Sequence, residues 1–433
     1  MNFQEIYNQK LMTPQAIADY VQSGFICASP SCLSQPIAIV NAIADRARKG
    51  EIEGVESHGI IAQPAPFLDP ELAGKYTHVS WFTSGAARPG VKAGYIDVVP
   101  SHYSYAPSLW LEARDRLDVA YMVVSPMDKH GYFSMGVTAS ENYALIEKAK
   151  YVFVEVNKYM PRTHGVNFIH VSEVTGICEY DNPLGELPSG AITENDMAMG
   201  KMIADMVPNG ATIQLGIGGI PNAVGTALMC KEDLGIHTEM FTDSMVDLIE
   251  AGVVTNKKKN IHKNKTIASF AWGSKKMYDY MDENISLEMH PVSYVNDPYV
   301  IGKLDNFISV NSCIEIDFFG QACAESIGHV NFSGPGGQLD FVRGCHVSKG
   351  GKSFIAINST AKNGTISKIK PMLTPGAAVT TGKNDIDYVV TEFGVVRLKG
   401  LSVSQRAKAL ISIAHPNFRE ELTAEAKRMN ILM

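Results

Sequence analysis

Short apolar runs rich in Val, Ile and Tyr alternate along the chain with longer stretches whose apolar residues recur at helical spacing. The runs YMVVSP (121–126), YVFVEV (151–156), ATIQLGI (211–217), FISVN (307–311), SFIAI (353–357) and YVVTEF (388–393) predict strands. TPQAIADYVQSG (13–24), ENDMAMGKMIADMV (194–207) and SQRAKALISIA (404–414) predict amphipathic helices. This alternation predicts an α/β fold in which mostly parallel strands are covered by helices.

The pattern also repeats. Near the start a helix leads through Gly24 into a strand (FICAS), a loop, Pro36 and another helix. Around residue 200 the same order returns: helix, Asn209-Gly210, strand (TIQLGI), loop, Pro221, helix. AKYVFVEVNKYMP in the first half also echoes IDYVVTEFGVVRL in the second. A duplicated α/β unit is the economical reading. The aperiodic Pro/Gly-rich stretch DNPLGELPS (181–189) places the join, giving domains over 1–183 and 194–433 with a linker over 184–193.

Composition narrows the class. The chain has 433 residues, 45% hydrophobic and 19% charged, ample for large buried cores. Its net charge is −7, without a long basic block, so nucleic acid is not an expected partner. Seven cysteines are scattered and never spaced CxxC, which suggests neither a disulfide framework nor a zinc site and fits a reducing compartment. The N-terminus is polar, and no apolar run of about 18 residues occurs. A cytoplasmic protein without membrane contact is expected.

The two halves differ where chemistry would sit. The second-half loop reads Gly216-Ile217-Gly218-Gly219-Ile220-Pro221, whereas its counterpart ASPSCLSQP has no glycine. Glycines after a strand let backbone approach a ligand, and helix amides point at negative charge. The loop is therefore either an anion or oxyanion cradle or an ordinary tight turn. It matches the dinucleotide fingerprint only loosely, with Pro221 at the third glycine, so no nucleotide cofactor is expected.

In GIHTEMFTD (235–243), Glu239 falls at the end of a β-like run. Carboxyl ends of strands are where open α/β sheets hold ligands. An ionised glutamate there needs no base, but as a weak nucleophile it needs prealigned N–H donors, each typically worth about 3–4 kcal/mol. On spacing alone, an acid favoured by a following helix dipole is the better explanation. Asp243 and Asp247 read as first-turn acids. FSGPGGQLDF (332–341) is a second site of close backbone approach or a surface turn. KKKNIHKNK (257–265) reads as a solvated face. His130 and His237 lack partners at metal-ligand spacing, and no metal is expected.

Together these segments resemble the acetyl-CoA hydrolase/transferase family, and within it the 4-hydroxybutyrate and butyryl-CoA:acetate CoA-transferases. The resemblance spans the chain. It is carried by SPMDKHGYFSMG (125–136), VEVNKYMPR (154–162), QLGIGGIPNAVG (214–225), GIHTEMFTDSMVDLIEAG (235–252), YVNDP (294–298), FSGPGGQLDFVRG (332–344), DYVVTEFG (387–394) and RAKALISIAHPNFR (406–419). It implies two similar open α/β/α domains with the active site at their interface, and Glu239 as nucleophile. It implies coenzyme A as cosubstrate, with contacts from Gly216, Ile217, Gly218, Gly219, Ile220, Cys313, Gly336 and Gly337, and Asn296 lining the site. Asp297 stands where the family usually has histidine, and ASPSCLSQP also departs from the pattern, which bears on acyl preference. The implied partners are acyl-CoA and short-chain carboxylates (butyrate, 4-hydroxybutyrate, propionate or acetate) in a homodimer or homotetramer. An acyl-CoA hydrolase using the same glutamate is the alternative.

Overall fold

The computed structural model describes residues 2–188 and 190–433; Met1 and Ser189, the latter inside the expected linker, lie outside the described residues. The chain packs as two compact units that no single cut separates. The first takes the chain up to Leu187 together with Glu239–Asp243 and Ile267–Val295; the second takes Pro188–Thr238, Ser244–Thr266 and Asn296–Met433.

The first unit is built on strands β1 (Ile26–Ala28), β2 (Val55–Ile60), β3 (Tyr76–Phe82), β4 (Asp97–Val98), β5 (Leu117–Val124), β6 (Ala149–Val156) and β7 (Gly176–Glu179). They form a parallel sheet in the order β7-β6-β5-β1-β2-β3-β4. All eight residues of β5 are buried. Such a continuous apolar run is what a strand covered on both faces requires. Helix α1 (Ile37–Arg48) turns Ile39, Val40, Ile43 and Ala47 into a core shared with Cys27, Val119, Tyr121 and Phe153.

No side chain of α1's own leading segment caps it. Glu155, at the end of β6, does so instead. Its buried carboxylate accepts the amides of Ile37 (3.0 Å), Ala38 (2.9 Å) and Ile39 (3.2 Å). A helix N-terminus attracts an anion, and here the chain supplies its own. The predicted helix over 13–24 is shorter, Pro14–Ala18. The Arg46 guanidinium takes up the carbonyls of Ala18 (2.5 Å) and Val21 (2.8 Å), which a longer helix would have used.

In the second unit, helix α2 (Glu194–Asp205) opens on a capping box between Thr193 and Asp196. Then come β8 (Thr212–Leu215), α3 (Gly219–Ala227), β9 (Gly235–Phe241), α4 (Asp243–Glu250), β10 (Thr266–Ala271, which from Ile267 on belongs to the first unit), β11 (Phe307–Ser312), α5 (Gln338–Val347), β12 (Lys352–Ala356), β13 (Tyr388–Thr391), β14 (Gly394–Arg397) and α6 (Val403–Ser412). The strands run β14-β13-β12-β11-β8-β9, parallel except for the β13–β14 hairpin. At Gly200 of α2 a Cβ would lie 2.8 Å from the Ala223 carbonyl, so glycine is what lets α2 and α3 pack. β9 passes from the second unit into the first at Glu239.

Strand order shows the duplication. β1 has β2 on one side and β5, β6, β7 on the other; β8 has β9 on one side and β11, β12, β13 on the other. The correspondence matches β6 with β12, not with β13 as the AKYVFVEV–IDYVVTEF echo suggested. β6 and β13 share their Val-rich composition, whereas β12 (KSFIA) has no valine, so composition points away from the match that strand order makes.

Removing the Glu155 carboxylate strands three helix amides. Glu155→Ala should cost about 3 kcal/mol, read as a lower urea midpoint at unchanged slope, and Glu155→Gln less than that.

Candidate active site

In open α/β sheets, ligands gather where strand order reverses, at the carboxyl ends. In the second unit that point lies between β8 and β11. There Gly216 donates its amide to the Val310 carbonyl (2.9 Å), and a Cβ on Gly216 would come within 3.1 Å of Asn311 Oδ1. Gly218 has φ +120°, a conformation that L side chains rarely adopt, and forms the N-cap of α3. Ile217 is 51% exposed, so the loop turns its backbone to solvent. Cys313 follows β11 directly and is buried; burial pushes its thiol up to about 12, which removes it as a nucleophile. The loop Gly216–Ile220 and Cys313 are thus neighbours at one sheet edge.

The other residues expected at the site fall as follows. Gly336 has φ +53° and Gly337 is the N-cap of α5, both buried in a glycine turn opening a helix. Asn296 is fully buried. Asp297 caps the helix Pro298–Ile301, accepting the Tyr299 amide at 2.8 Å. That task suits aspartate at the position where the family usually carries histidine.

Glu239 lies within β9, in the part of the strand belonging to the first unit. Six of the seven residues of β9 are buried and Glu239 alone is partly exposed. The helix that follows begins at Asp243, so Glu239 is a strand residue, not a first-turn acid. At the strand's start, Asn256 Oδ1 accepts the Ile236 amide (2.9 Å), and Lys259 Nζ donates to the carbonyls of Ile236 (2.8 Å) and Lys265 (2.6 Å). Lys259 is 1% exposed, which corrects the reading of KKKNIHKNK as wholly solvated. Its stem packs over Gly235, where a Cβ would meet it at 2.7 Å.

Within the first unit, β10 neighbours β9 and pairs on its other side with residues around Thr138, through an antiparallel bridge to Phe270. This brings up a polar group that sequence reasoning missed. Ser31 Oγ lies 2.5 Å from Tyr103 Oη and 3.2 Å from Glu141 Oε2, Tyr103 Oη lies 2.7 Å from Ser140 Oγ, and Ser269 of β10 donates to Ser140 (3.3 Å). All five are buried. Burial pushes the Tyr103 hydroxyl far up, helped by the charges of Glu141 and Glu239. No spacing marks these residues; only the departure of ASPSCLSQP from the family pattern touched on Ser31.

Profiles of the N-terminal and C-terminal domains of the acetyl-CoA hydrolase/transferase family match residues 1–185 and 273–426. A succinyl-CoA:cyclohexane-1-carboxylate CoA transferase of Geobacter metallireducens is 48% identical, over 99% of this chain and 98% of its own. The chain belongs to the acetyl-CoA hydrolase/transferase family. A 4-hydroxybutyrate coenzyme A transferase of Clostridium kluyveri is 43% identical over 99% of this chain and 100% of its own, and a butyryl-CoA:acetate CoA-transferase of Anaerostipes caccae 42% over 100% and 99%. Among solved structures, RipA from Yersinia pestis is 39% identical with a TM-score of 0.96, covering both chains completely. A 4-hydroxybutyrate CoA-transferase from Porphyromonas gingivalis is 38% identical with a TM-score of 0.83, over 99% of this chain and 100% of its own. The members of this family are enzymes, and the α/β fold with mostly parallel sheets is the one expected of it. Among the described residues no helix is long and apolar enough to cross a membrane.

Because Lys259 fixes the start of the strand that carries Glu239, Lys259→Ala should destabilise the protein by about 3 kcal/mol in urea unfolding, through lost hydrogen bonds and lost stem packing.

Proposed function

We propose that the protein is a CoA-transferase that moves coenzyme A between short-chain carboxylates, with butyryl-CoA or 4-hydroxybutyryl-CoA and acetate as the first substrates to test. The observation that carries this reading is Glu239, the one residue of an otherwise buried strand with access to solvent. The curated relatives, transferases acting on carboxylate–CoA pairs by name, support the substrate class.

In this reading the Glu239 carboxylate attacks the thioester carbonyl of the donor. The C–S bond breaks, CoA leaves as thiolate, and an acyl–glutamyl anhydride remains. The thiolate then attacks the glutamyl carbonyl, releasing the donor acid and leaving a glutamyl-CoA thioester. An incoming carboxylate runs both steps in reverse, which gives ping-pong kinetics. Thioester energy is conserved, so the chemistry needs neither a metal nor a nucleotide cofactor. The amides of Gly216–Ile220 receive the developing oxyanion and contact CoA with Cys313, Gly336 and Gly337, while Asn296 lines the site. Both activated intermediates must be shielded from water.

A division of the sequence into domains 1–183 and 194–433 joined by 184–193, with Glu239–Asp243 and Ile267–Val295 of the second counted in the first compact unit, a homodimeric or homotetrameric assembly and a cytoplasmic location complete the proposal. Seven free cysteines support a reducing compartment.

The test is incubation with butyryl-CoA alone, trapping with borohydride or hydroxylamine, and mass spectrometry. Modification should appear on the peptide holding Glu239; modification elsewhere overturns the assignment. Glu239→Gln should lower turnover at least about a thousandfold. Steady release of free CoA without any acceptor acid would assign the enzyme as an acyl-CoA hydrolase instead.

A further inference from the structure

The polar group beside Glu239 has no part in the steps above, yet it is built at some cost. A glutamic acid, a tyrosine and three serines are withdrawn from water in the first unit, with the buried Thr138 hydroxyl donating to the Ser31 carbonyl beside them (3.2 Å). Glu141 is 2% exposed. Its carboxyl oxygens lie 3.3 and 3.2 Å from Ser31 Oγ. An unpaired charge so placed would be expensive, and no cation is within salt-bridge reach among the ion pairs of the described residues. Next to Ser31, Cys32 holds φ +55° while buried, a conformation rarely taken by a residue with a Cβ. Such strain persists where surrounding structure imposes it.

The hydroxyls form a chain: Glu141, Ser31, Tyr103, Ser140, Ser269. Each hydroxyl has a single proton to give, so the chain has a direction. With a protonated Glu141, its proton goes to Ser31, Ser31 donates to Tyr103, and Tyr103 donates to Ser140. With an ionised Glu141, Ser31 must donate to the carboxylate, Tyr103 turns to Ser31, and the direction reverses. Tyr103 lies within electrostatic reach of both carboxyls, Glu141 and Glu239. Its ring packs edge-on to Phe270 of β10, with centroids 6.0 Å apart. The state of Glu141 thus decides which way a buried dipole near the nucleophile points, and whether a second negative charge shares its surroundings.

Building on the function proposed above, we propose that Glu141 is a positioning residue of the transfer reaction, acting through Ser31 on the direction of the Tyr103 hydroxyl beside Glu239, and that activity requires Glu141 in its neutral form. Burial pushes the Glu141 carboxyl up to about 8, against the opposing pull of its own backbone amide and of the Ser31 hydroxyl and amide. The carboxyl is therefore largely neutral at pH 7 and ionises above pH 8. The titratable groups that act on it are Cys32 and Tyr103, the latter with His102 beside it in the chain and itself within reach of Glu239. Burial holds the Cys32 thiol and the Tyr103 hydroxyl so far up that both stay neutral across this range. The sign follows: rising pH adds a charge near Glu239 and reverses the hydroxyl chain, so covalent attack slows.

The test measures the single-turnover rate of Glu239 modification by butyryl-CoA, with mass-spectrometric readout, from about pH 6 to about pH 10. Wild type should show an alkaline limb falling about tenfold per pH unit beyond a midpoint near about 8. In Glu141→Gln, whatever the height of its profile, that limb should vanish. Should Glu141→Gln fail to fold, Glu141→Asp should move the midpoint by half a unit or more, roughly a threefold change in rate at fixed pH. A wild-type profile with no limb, or a limb whose midpoint ignores both variants while Glu239 is still modified, overturns this inference and leaves the transferase reading standing. Absence of Glu239 modification in wild type overturns both.

Discussion

The carboxylate proposed as nucleophile must be reached by substrate while its strand stays buried, and β9 meets that constraint with a single partly exposed side chain. The strand's other residues are packed, so Glu239 cannot drift by moving its backbone. Its start is held by Asn256 and the buried Lys259, which bind the main chain directly. Because a displacement of about 1 Å at a reacting group can cost two orders of magnitude in rate, anchoring of this kind is part of the chemistry.

The duplicated fold solves the helix N-terminus differently in its two copies. In the first unit Glu155 occupies the leading amides of α1 with the chain's own carboxylate. In the second, the corresponding helix α3 begins at Gly218, and the loop before it is exposed. One copy is capped by the chain's own carboxylate, and the proposed function gives the open turn of the other copy the task of receiving an anion. Gene duplication followed by loss of one cradle would produce this arrangement, with the glycines kept where backbone must approach a ligand.

Around Glu239 the first unit places hydroxyl groups and a neutral acid where charges would compete. A buried carboxyl held uncharged near a charged one is a recurrent way of giving two like groups different tasks. In the role proposed for Glu141, its proton would keep the neighbourhood of Glu239 free of a second anion, and the serine and tyrosine hydroxyls satisfy buried polar atoms without adding charge.

Strand positions were legible because buried parallel strands are continuous apolar runs, and α2 and α6 because caps and spacing mark them. The glycine loop and Glu239 were also visible, one by composition and one by its place after a β-like run, though only the family resemblance raised that glutamate above a helix-capping acid. What the chain's order could not give is proximity across long separations. Ser31, Tyr103, Glu141 and Ser269 are scattered over more than half the sequence and carry no common spacing; the pairing of the segment around Thr138 with β10 brings them together. The same holds for Lys259, whose neighbours in a basic stretch made it look solvated until packing against Gly235 buried it, and for Glu155, whose partners begin 118 residues earlier. Local pattern marked the elements and made Glu239 visible; the burial and electrostatic surroundings of that glutamate were decided only by tertiary contact, since charge and burial are properties of neighbours in space.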